Sequence, residues 1–319
     1  MTLSFLFLQP DRTSRLRQLA WLSAAFAGMA FVSGAAAQQS YKSPEEAVAA
    51  LVEAARSGST ETLLAVFGPD GEDIVSSGDD VADAAGRDRF VKAYDAKHSM
   101  ESEGDDKVVL ILGEEEWPFP IPVVRNNDAW IFDAEAGRDE ILARRIGRNE
   151  LSAIQAVLAY VDAQNEYAEA AQTNGGIATY AQRILSQPGK KDGLYWPAEL
   201  GGKSPLGDLV AQAAADGYSV DEKRAPFHGY FYKVLTRQGA AAPGGAYDYV
   251  AGDKMIGGFA LVAYPAEYEN SGVMTFLVNH DGSVVQRDLG SQTNEIVEAM
   301  TEFNPDDTWE RVEEDASEQ

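Results

Sequence analysis

The chain has 319 residues, of which 45% are hydrophobic and 24% charged, and it contains no cysteine. This composition excludes a wholly disordered or collagen-like chain, and the absence of cysteine excludes disulfides, thiolate metal sites and cysteine nucleophiles. The net charge of −25 argues against binding to nucleic acid or anionic lipid, because the phosphates would be repelled. The length predicts two domains.

The first 37 residues have the pattern of a secretory signal. Three arginines lie between residues 12 and 17, residues 19–32 are uncharged and mostly apolar, and residues 35–37 fit an A-x-A cleavage site. The apolar stretch is too short to span a bilayer; a retained membrane anchor is the alternative. The sequence therefore predicts a periplasmic protein, cleaved after Ala37, whose mature form does not span the membrane.

Residues 38–140 predict a first α+β domain, in which helices precede strands. Ser43, Pro44 and Glu46 form a capping box, and Gly58 can end that helix. Prolines at alternate positions in the segment Trp-Pro-Phe-Pro-Ile-Pro remove hydrogen-bond donors on one side, so we expect an edge strand there. Further helices are predicted at residues 60–67 and 87–98, and strands at 108–112, 117–124 and 130–132. This element order resembles the cone-like domains of the nuclear-transport-factor-2-like (NTF2-like) superfamily.

Residues 141–300 predict a second α+β domain, and its boundary with the first is expected at residues 138–150. A helix is predicted from Asp139 to Ala171, interrupted near Gly147, with Leu151, Ile154, Leu158, Val161 and Tyr167 on its buried face. Four strands are predicted at 229–235, 259–265, 273–278 and 284–287 as an antiparallel meander that this helix covers. Residues 301–319 form an acidic tail that we expect to be solvated from Glu302 onward.

Eight stretches of the chain resemble a family of exported bacterial proteins, domain of unknown function 2950. The resemblance covers residues 43–309 and implies export and a two-part chain, but no reaction. The stretches are SPEEAV (43–48), GPDGEDIVSSGD (68–79), WPFPIP (117–122), IGRNELSAIQ (146–155), YAQRILSQPGKKDGLYWP (180–197), PGGAYDYV (243–250), MIGGFALVAYPAEY (255–268) and SGVMTFLVNHDG (271–282).

The second half also resembles the globular part of type IV pilin-like and pseudopilin proteins. The segments that carry this resemblance are NELSAIQAVLAYVDAQNEYA (149–168), GYFYKVL, FALVAYPAEY and SGVMTFLVNHDGSV. It implies a long helix packed on a four-stranded antiparallel sheet. Here the helix is internal and begins with Arg144, Arg145 and Arg148, which cannot pack into a filament core. We therefore expect the pilin-like fold without filament formation.

Aromatic residues are the main candidates for ligand binding. Trp117, Phe119 and Trp130 could line a concave face of the first domain, although packing in the core is the alternative. Tyr195 and Trp196 follow two lysines and could contact a partner or an anionic glycan.

Catalytic and metal-binding patterns are weaker. His228 or His280 with a nearby carboxylate such as Asp281 would suit a hydrolase, although a solvated turn is the favoured explanation of His280. Calcium could bind the acidic loops, but their spacing does not match an EF-hand. The calcium candidates are Asp70, Asp73, Asp79 and Asp80.

Taken together, the sequence predicts a non-enzymatic binding or assembly module of the cell envelope. Its expected partner is an envelope protein or a small ligand, without a cofactor and without nucleic acid. The alternatives are a hydrolase and an acidic protein that buffers cations, and the oligomeric state stays open.

Overall fold

The structure, a computed structural model, describes residues 38–219 and 225–312. The predicted signal segment, with its cleavage site after Ala37, lies outside these ranges. The described residues have an α+β fold with antiparallel sheets. Within these ranges, no helix combines the length and the apolar character needed to cross a membrane.

The helices and strands alternate in blocks along the chain. The helices are α1 (Pro44–Ser57), α2 (Thr60–Phe67), α3 (Glu72–Val75), α4 (Asp80–Ala96), α5 (Ala134–Thr173), α6 (Gly207–Ala215) and α7 (Thr293–Ala299). The strands are β1 (His98–Ser102), β2 (Lys107–Leu112), β3 (Trp117–Pro118), β4 (Val123–Asn126), β5 (Ala129–Phe132), β6 (Tyr230–Leu235), β7 (Arg237–Gln238), β8 (Tyr247–Asp248), β9 (Val250–Ala251), β10 (Lys254–Met255), β11 (Ala260–Pro265), β12 (Met274–Asn279), β13 (Val284–Asp288) and β14 (Glu310–Arg311).

The start of α1 confirms the predicted cap. The Ser43 hydroxyl accepts a hydrogen bond from the Glu46 backbone N–H at 3.3 Å. The Glu46 carboxylate accepts in turn from the N–H of Lys42, one residue before the cap. At the other end, Gly58 has a φ of 70°, the left-handed conformation that glycine adopts without strain. These local interactions fix both ends of the helix.

The helix predicted at residues 87–98 is wrong at both ends. Asp79 caps α4 by accepting from the Ala82 N–H, so the helix begins at Asp80. His98 belongs to β1, which the sequence did not predict. No residue of α4 is fully buried, and all five residues of β1 are exposed. Apolar side chains of α4 pack on the first core only in its second half, at Phe90, Val91 and Tyr94, so β1 and the start of α4 lack the apolar periodicity from which elements are recognised.

The first core lies between α1, α2 and a five-stranded antiparallel sheet. Strand order is β1-β2-β4-β5, and β3 pairs with β2. Val123 is the central register position, opposite Val108 on one side and Phe132 on the other. The Phe67 ring meets the Phe132 ring edge to face at 5.5 Å. The large buried side chains of this core include Leu51, Leu63, Phe67, Leu110, Leu112, Phe119, Ile121, Trp130 and Phe132.

Helix α5 is one continuous helix of 40 residues. The Asp133 carboxylate caps it, so it begins before the predicted Asp139. The interruption predicted at Gly147 is wrong, because the helix continues through it. Leu151 was expected on the buried face but is 64% exposed. The other predicted positions do face the second core: Val161 is buried, and Ile154, Leu158 and Tyr167 are partly buried against it, beside the fully buried Ala153 and Val157.

The second core lies on an antiparallel sheet in the order β14-β13-β12-β11-β6. The four predicted strands are present, and β14 adds a fifth. Val262 on β11 pairs with Leu277 on β12 and with Lys233 on β6. Helices α5 and α7 pack on this sheet. The Tyr160 ring of α5 meets the Phe259 ring at 5.6 Å.

The tail predicted to be solvated from Glu302 onward is partly folded. Phe303 is only 3% exposed and lies in the second core. The N–H of Phe303 donates to the Arg237 carbonyl, and β14 pairs with β13. The acidic composition of the segment predicted a solvated tail, because only a few apolar residues, such as Phe303, attach it to the core. Residues 313–319 lie outside the described ranges.

Candidate functional site

A cleft of about 1080 Å³ lies where residues of both halves meet. Helix α4 and the middle of α5 form two of its walls, and a third is formed by Ala215, Asp216, Tyr218 and His228. Its floor is apolar and belongs to the first core. Concave, mainly apolar sites with a few polar groups are the usual form of small-molecule pockets. The floor residues are Leu51, Leu63, Phe67, Phe90, Leu112, Phe119 and Ile141.

Asp79 joins the wall at α4 to the wall at His228. Its side chain is buried, with 2% of the residue exposed. One carboxylate oxygen caps α4, and the other accepts from the Gly229 N–H at 2.8 Å and from the Tyr218 hydroxyl at 2.9 Å. A buried carboxylate requires such donors, because an unpaired buried charge is strongly destabilising. Asp79 is therefore a structural connection between the two sides of the cleft.

Tyr218 extends this connection to His228. The phenol oxygen accepts from the His228 N–H at 3.2 Å while it donates to Asp79. Burial raises the pKa of Tyr218, and the negative charge of Asp79 raises it further. The phenol is therefore neutral and stays a hydrogen-bond donor. His228 has a φ of 51°, which is uncommon outside glycine, and these hydrogen bonds hold it there.

Arg145 connects the middle of α5 to α3 and to Asn270. Its guanidinium donates to the carbonyls of Asp73 at 2.6 Å and Ile74 at 2.7 Å, and to the side-chain oxygen of Asn270. Burial lowers the pKa of Arg145, while the carboxylate of Asp83 raises it. Its donors are thus used within the protein.

Two further residues of α5 hold the turn before β12. The Asn149 amide donates to the Ser271 carbonyl at 2.9 Å. The Glu150 carboxylate accepts from the backbone N–H groups of Val273 at 3.0 Å and Met274 at 2.9 Å. Together with Arg145, these two residues anchor the wall that α5 contributes to the cleft.

Arg89 of α4 and Arg148 of α5 differ from Arg144 and Arg145, which are engaged with protein groups. Arg144 pairs with Glu140 at 2.6 Å and lies over the Trp117 ring at 5.0 Å. Arg148, in contrast, has no ion pair with a carboxylate within the described residues, and neither has Arg89. Burial lowers the pKa of Arg148, and the positive charge of Arg89 lowers it further. Arg148 in turn lowers the pKa of His228, where burial is the largest cause.

The predicted aromatic residues are divided between two places. Trp117 and Phe119 line the cleft, and His228 lines it as well. Phe119 is only 8% exposed and also packs in the first core, so it lines the cleft and belongs to the core at once. Trp130 lies outside the cleft, buried to 8% exposure with the Arg125 guanidinium over its ring at 4.8 Å.

Tyr195 and Trp196 lie away from the cleft. The Tyr195 N–H donates to the Ile184 carbonyl at 2.9 Å. The Trp196 indole donates to the Gly201 carbonyl at 3.3 Å, and the Lys191 ammonium lies 5.5 Å from its ring. The two aromatic residues thus have internal contacts as well as the lysine neighbour that the sequence indicated.

His280 and Asp281 also lie outside the cleft. The His280 Nε2 is 3.8 Å from the nearer Asp281 oxygen, which is beyond hydrogen-bond distance. The His280 ring packs near the rings of Tyr249 and Phe259 instead. Among the described residues, no hydrogen bond joins the His228 ring to a carboxylate either. The hydrogen-bonded pair that a hydrolase of this kind requires is therefore not formed by these residues.

The four calcium candidates do not converge. Asp73 pairs with Arg138, and Asp79 accepts hydrogen bonds from protein donors. Asp80 lies in the first turn of α4 and is exposed, whereas Asp70 belongs to a short turn after α2. Within residues 38–219 and 225–312, no three or more histidine and acidic side chains are grouped so that they could hold a metal ion.

Comparison with protein families gives one match. A family model described as "Protein of unknown function (DUF2950)" matches residues 38–312. The chain belongs to the DUF2950 family. No curated protein and no solved structure matched it. Three of the DUF2950-like stretches, at residues 68–79, 146–155 and 271–282, contribute Asp79, Arg148 and Ser271 to the cleft and its supporting contacts.

Several residues of the site were not predicted as such. Tyr218, Arg89 and Arg148 were not among the candidates, although Arg148 belongs to the charged start noted in the second half. A signal for it was present, because three arginines within five positions of a helix are unusual in an acidic chain. No local pattern could place Arg89 or Tyr218 beside it, since they come from distant segments.

Proposed function

We propose that this DUF2950 protein is exported and acts in the periplasm as a non-enzymatic module that binds a small molecule in the cleft. The observation that carries the proposal is the cleft itself, about 1080 Å³ in volume with an apolar floor. Walls fixed by Asp79 and Arg145 support a site that is formed before the ligand arrives. The basic and apolar pattern of residues 1–37 supports export.

The same proposal includes a fold assignment for each half. We assign residues 38–140 to an NTF2-like cone, supported by α1 and α2 packed on an antiparallel sheet. We assign residues 141–300 to a pilin-like domain, supported by α5 packed on antiparallel strands. Ligand binding in a cone agrees with the position of Trp117 and Phe119 in the cleft.

A neutral fluorescent probe tests the binding function. N-phenyl-1-naphthylamine brightens when it enters an apolar site, so its titration into the mature protein is expected to saturate. Ala85 lines the cleft, whereas its neighbour Ala84 is exposed on the same helix. The Ala85→Phe variant is therefore expected to bind the probe more weakly, and Ala84→Phe to behave as the wild type. Absence of saturable binding, or equal weakening in both variants, would contradict the proposal.

Export is tested separately. The full chain, expressed in a Gram-negative host, is expected in the periplasmic fraction with Gln38 as its first residue. The Ala37→Arg variant is expected to stay uncleaved, because the cleavage site requires small residues. Recovery of the protein in the cytoplasm with its first 37 residues would overturn the assignment.

A further inference from the structure

The arginines of the cleft carry information about the ligand. The chain has a net charge of −25, yet five arginines line this one cleft. Arg144 and Arg145 are engaged with protein groups, as described above. Arg89 and Arg148 line the same cleft, and neither forms an ion pair with a carboxylate among the described residues. Both residues are exposed in the cleft, where two guanidinium groups without a carboxylate partner can donate charge-assisted hydrogen bonds to an anion.

Carboxylates also line the cleft, but they do not neutralise this pair. Asp83 accepts hydrogen bonds from the backbone N–H and the hydroxyl of Ser77. Asp216 acts on His228, whose pKa it raises against the larger effect of burial. The remaining acidic residues of the lining are Asp88, Glu114 and Glu115. Within the described residues, none of these carboxylates forms an ion pair with Arg89 or Arg148.

The apolar floor lies in the same cleft as these two charges. Side chains such as Leu63, Phe67 and Phe90 can bury a hydrocarbon body, which is favourable in proportion to the apolar area removed from water. Guanidinium groups bind carboxylates and phosphates through paired, charge-assisted hydrogen bonds. A ligand that uses both features has an apolar body and an anionic end.

We infer that the cleft binds an anionic amphiphile, a molecule with one apolar chain and a carboxylate or phosphate head group that contacts Arg148 and Arg89. The inference rests on the proposed binding function and makes it more specific. The head group replaces the missing carboxylate partner of the two arginines, and the chain covers the floor formed by the first core. The overall negative charge of the protein makes these arginines a local exception, so recognition depends on contact within the cleft.

Isothermal titration with three ligands of equal chain length tests the inference. Dodecanoate, dodecyl phosphate and uncharged 1-dodecanol are titrated below their aggregation concentrations into the mature protein. We expect at least one of the two anions to bind about tenfold more tightly than the alcohol, because charge-assisted hydrogen bonds add to the same apolar contact. The tighter of the two anions identifies the head group.

Variants connect this difference to the two arginines. Arg148→Gln and Arg89→Gln, on separate helices, are each expected to weaken binding of the anion about tenfold and to leave 1-dodecanol unchanged. Lys92→Gln is the control for lost charge, since Lys92 is exposed on α4 and does not line the cleft. Circular dichroism confirms that each variant is folded.

The outcomes separate the two levels of the proposal. Equal affinity for anions and alcohol, or anion binding that neither arginine variant weakens, would overturn the inference while the binding function stands. If none of the three ligands nor the neutral probe binds to the wild type, the binding function itself fails.

Discussion

Replacing Asp79 by asparagine should break hydrogen bonds that connect the two sides of the cleft, while the volume of the side chain stays almost the same. The wild-type carboxylate accepts three hydrogen bonds, from the N–H groups of Ala82 and Gly229 and from the Tyr218 hydroxyl. An amide has one oxygen, so its NH₂ group must face a donor whichever way it turns. If the oxygen keeps the cap on α4, the Gly229 N–H loses its acceptor.

The size of the effect follows from this count. A buried N–H without an acceptor costs about 1–3 kcal/mol, and loss of the bond from Tyr218 adds about 1 kcal/mol. Asparagine is itself a good N-cap, so the cap contributes little to the difference. We therefore expect Asp79→Asn to lower the free energy of unfolding by about 2–4 kcal/mol.

Urea unfolding at neutral pH, followed by circular dichroism, measures this difference. Asp80→Asn is the matched control, because it removes the same charge from the next residue, which is exposed on α4. We expect the control to lie within about 0.5 kcal/mol of the wild type. Equal midpoints for Asp79→Asn and Asp80→Asn would refute the structural role given to Asp79.

Three further predictions concern stability, and urea unfolding measures each. Gly137→Ala should lower the free energy of unfolding by about 1–3 kcal/mol, since the added Cβ would lie 2.6 Å from the Pro120 carbonyl oxygen. Gly147→Ala, in the same helix, places its Cβ in open space and should raise the free energy of unfolding by about 0.5–1 kcal/mol. Changes of the same sign in the two variants would contradict this prediction. Gln164→Leu should cost about 2–4 kcal/mol, because both backbone groups of Ala181 lose their partner; an unchanged midpoint would be the contrary result. Burial lowers the pKa of His228 below 6.5, so the unfolded chain takes up a proton at this residue more readily than the folded protein does, and the folded protein loses stability as the pH falls below that value. His228→Asn should therefore lose less stability than the wild type between about pH 7 and about pH 5. Parallel losses in the two proteins would argue against this prediction.

Elements with local signals were predicted closely. The cap at Ser43 and the glycine after α1 act within a few residues of the helix ends, so both ends were visible in the sequence. Strands β11 and β12 are apolar runs because they lie in the interior of the sheet, and apolar runs are easy to recognise. The α+β class with antiparallel strands followed from these elements.

Elements without local signals were missed for a physical reason. Strand β1 has five exposed residues and owes its structure to pairing with β2. Strand β14 has only two residues within an acidic segment. The same limit applies to the site, because Asp79 and Gly229 are 150 positions apart in the chain. Trp117, Phe119 and His228 were named as candidates from residue type, but the cleft that they share comes from tertiary packing.

Helix α5 has a consequence for how the protein can be divided. At 1.5 Å per residue its 40 residues extend for about 60 Å, and it buries Ala134 in the first core and Val157 in the second. A cut at residues 138–150 would divide this helix, which both cores share, and would leave each fragment with an unsatisfied helix end. Limited proteolysis should therefore release no pair of independently stable halves. Unfolding of one core should also destabilise the other, because α5 contributes buried residues to both.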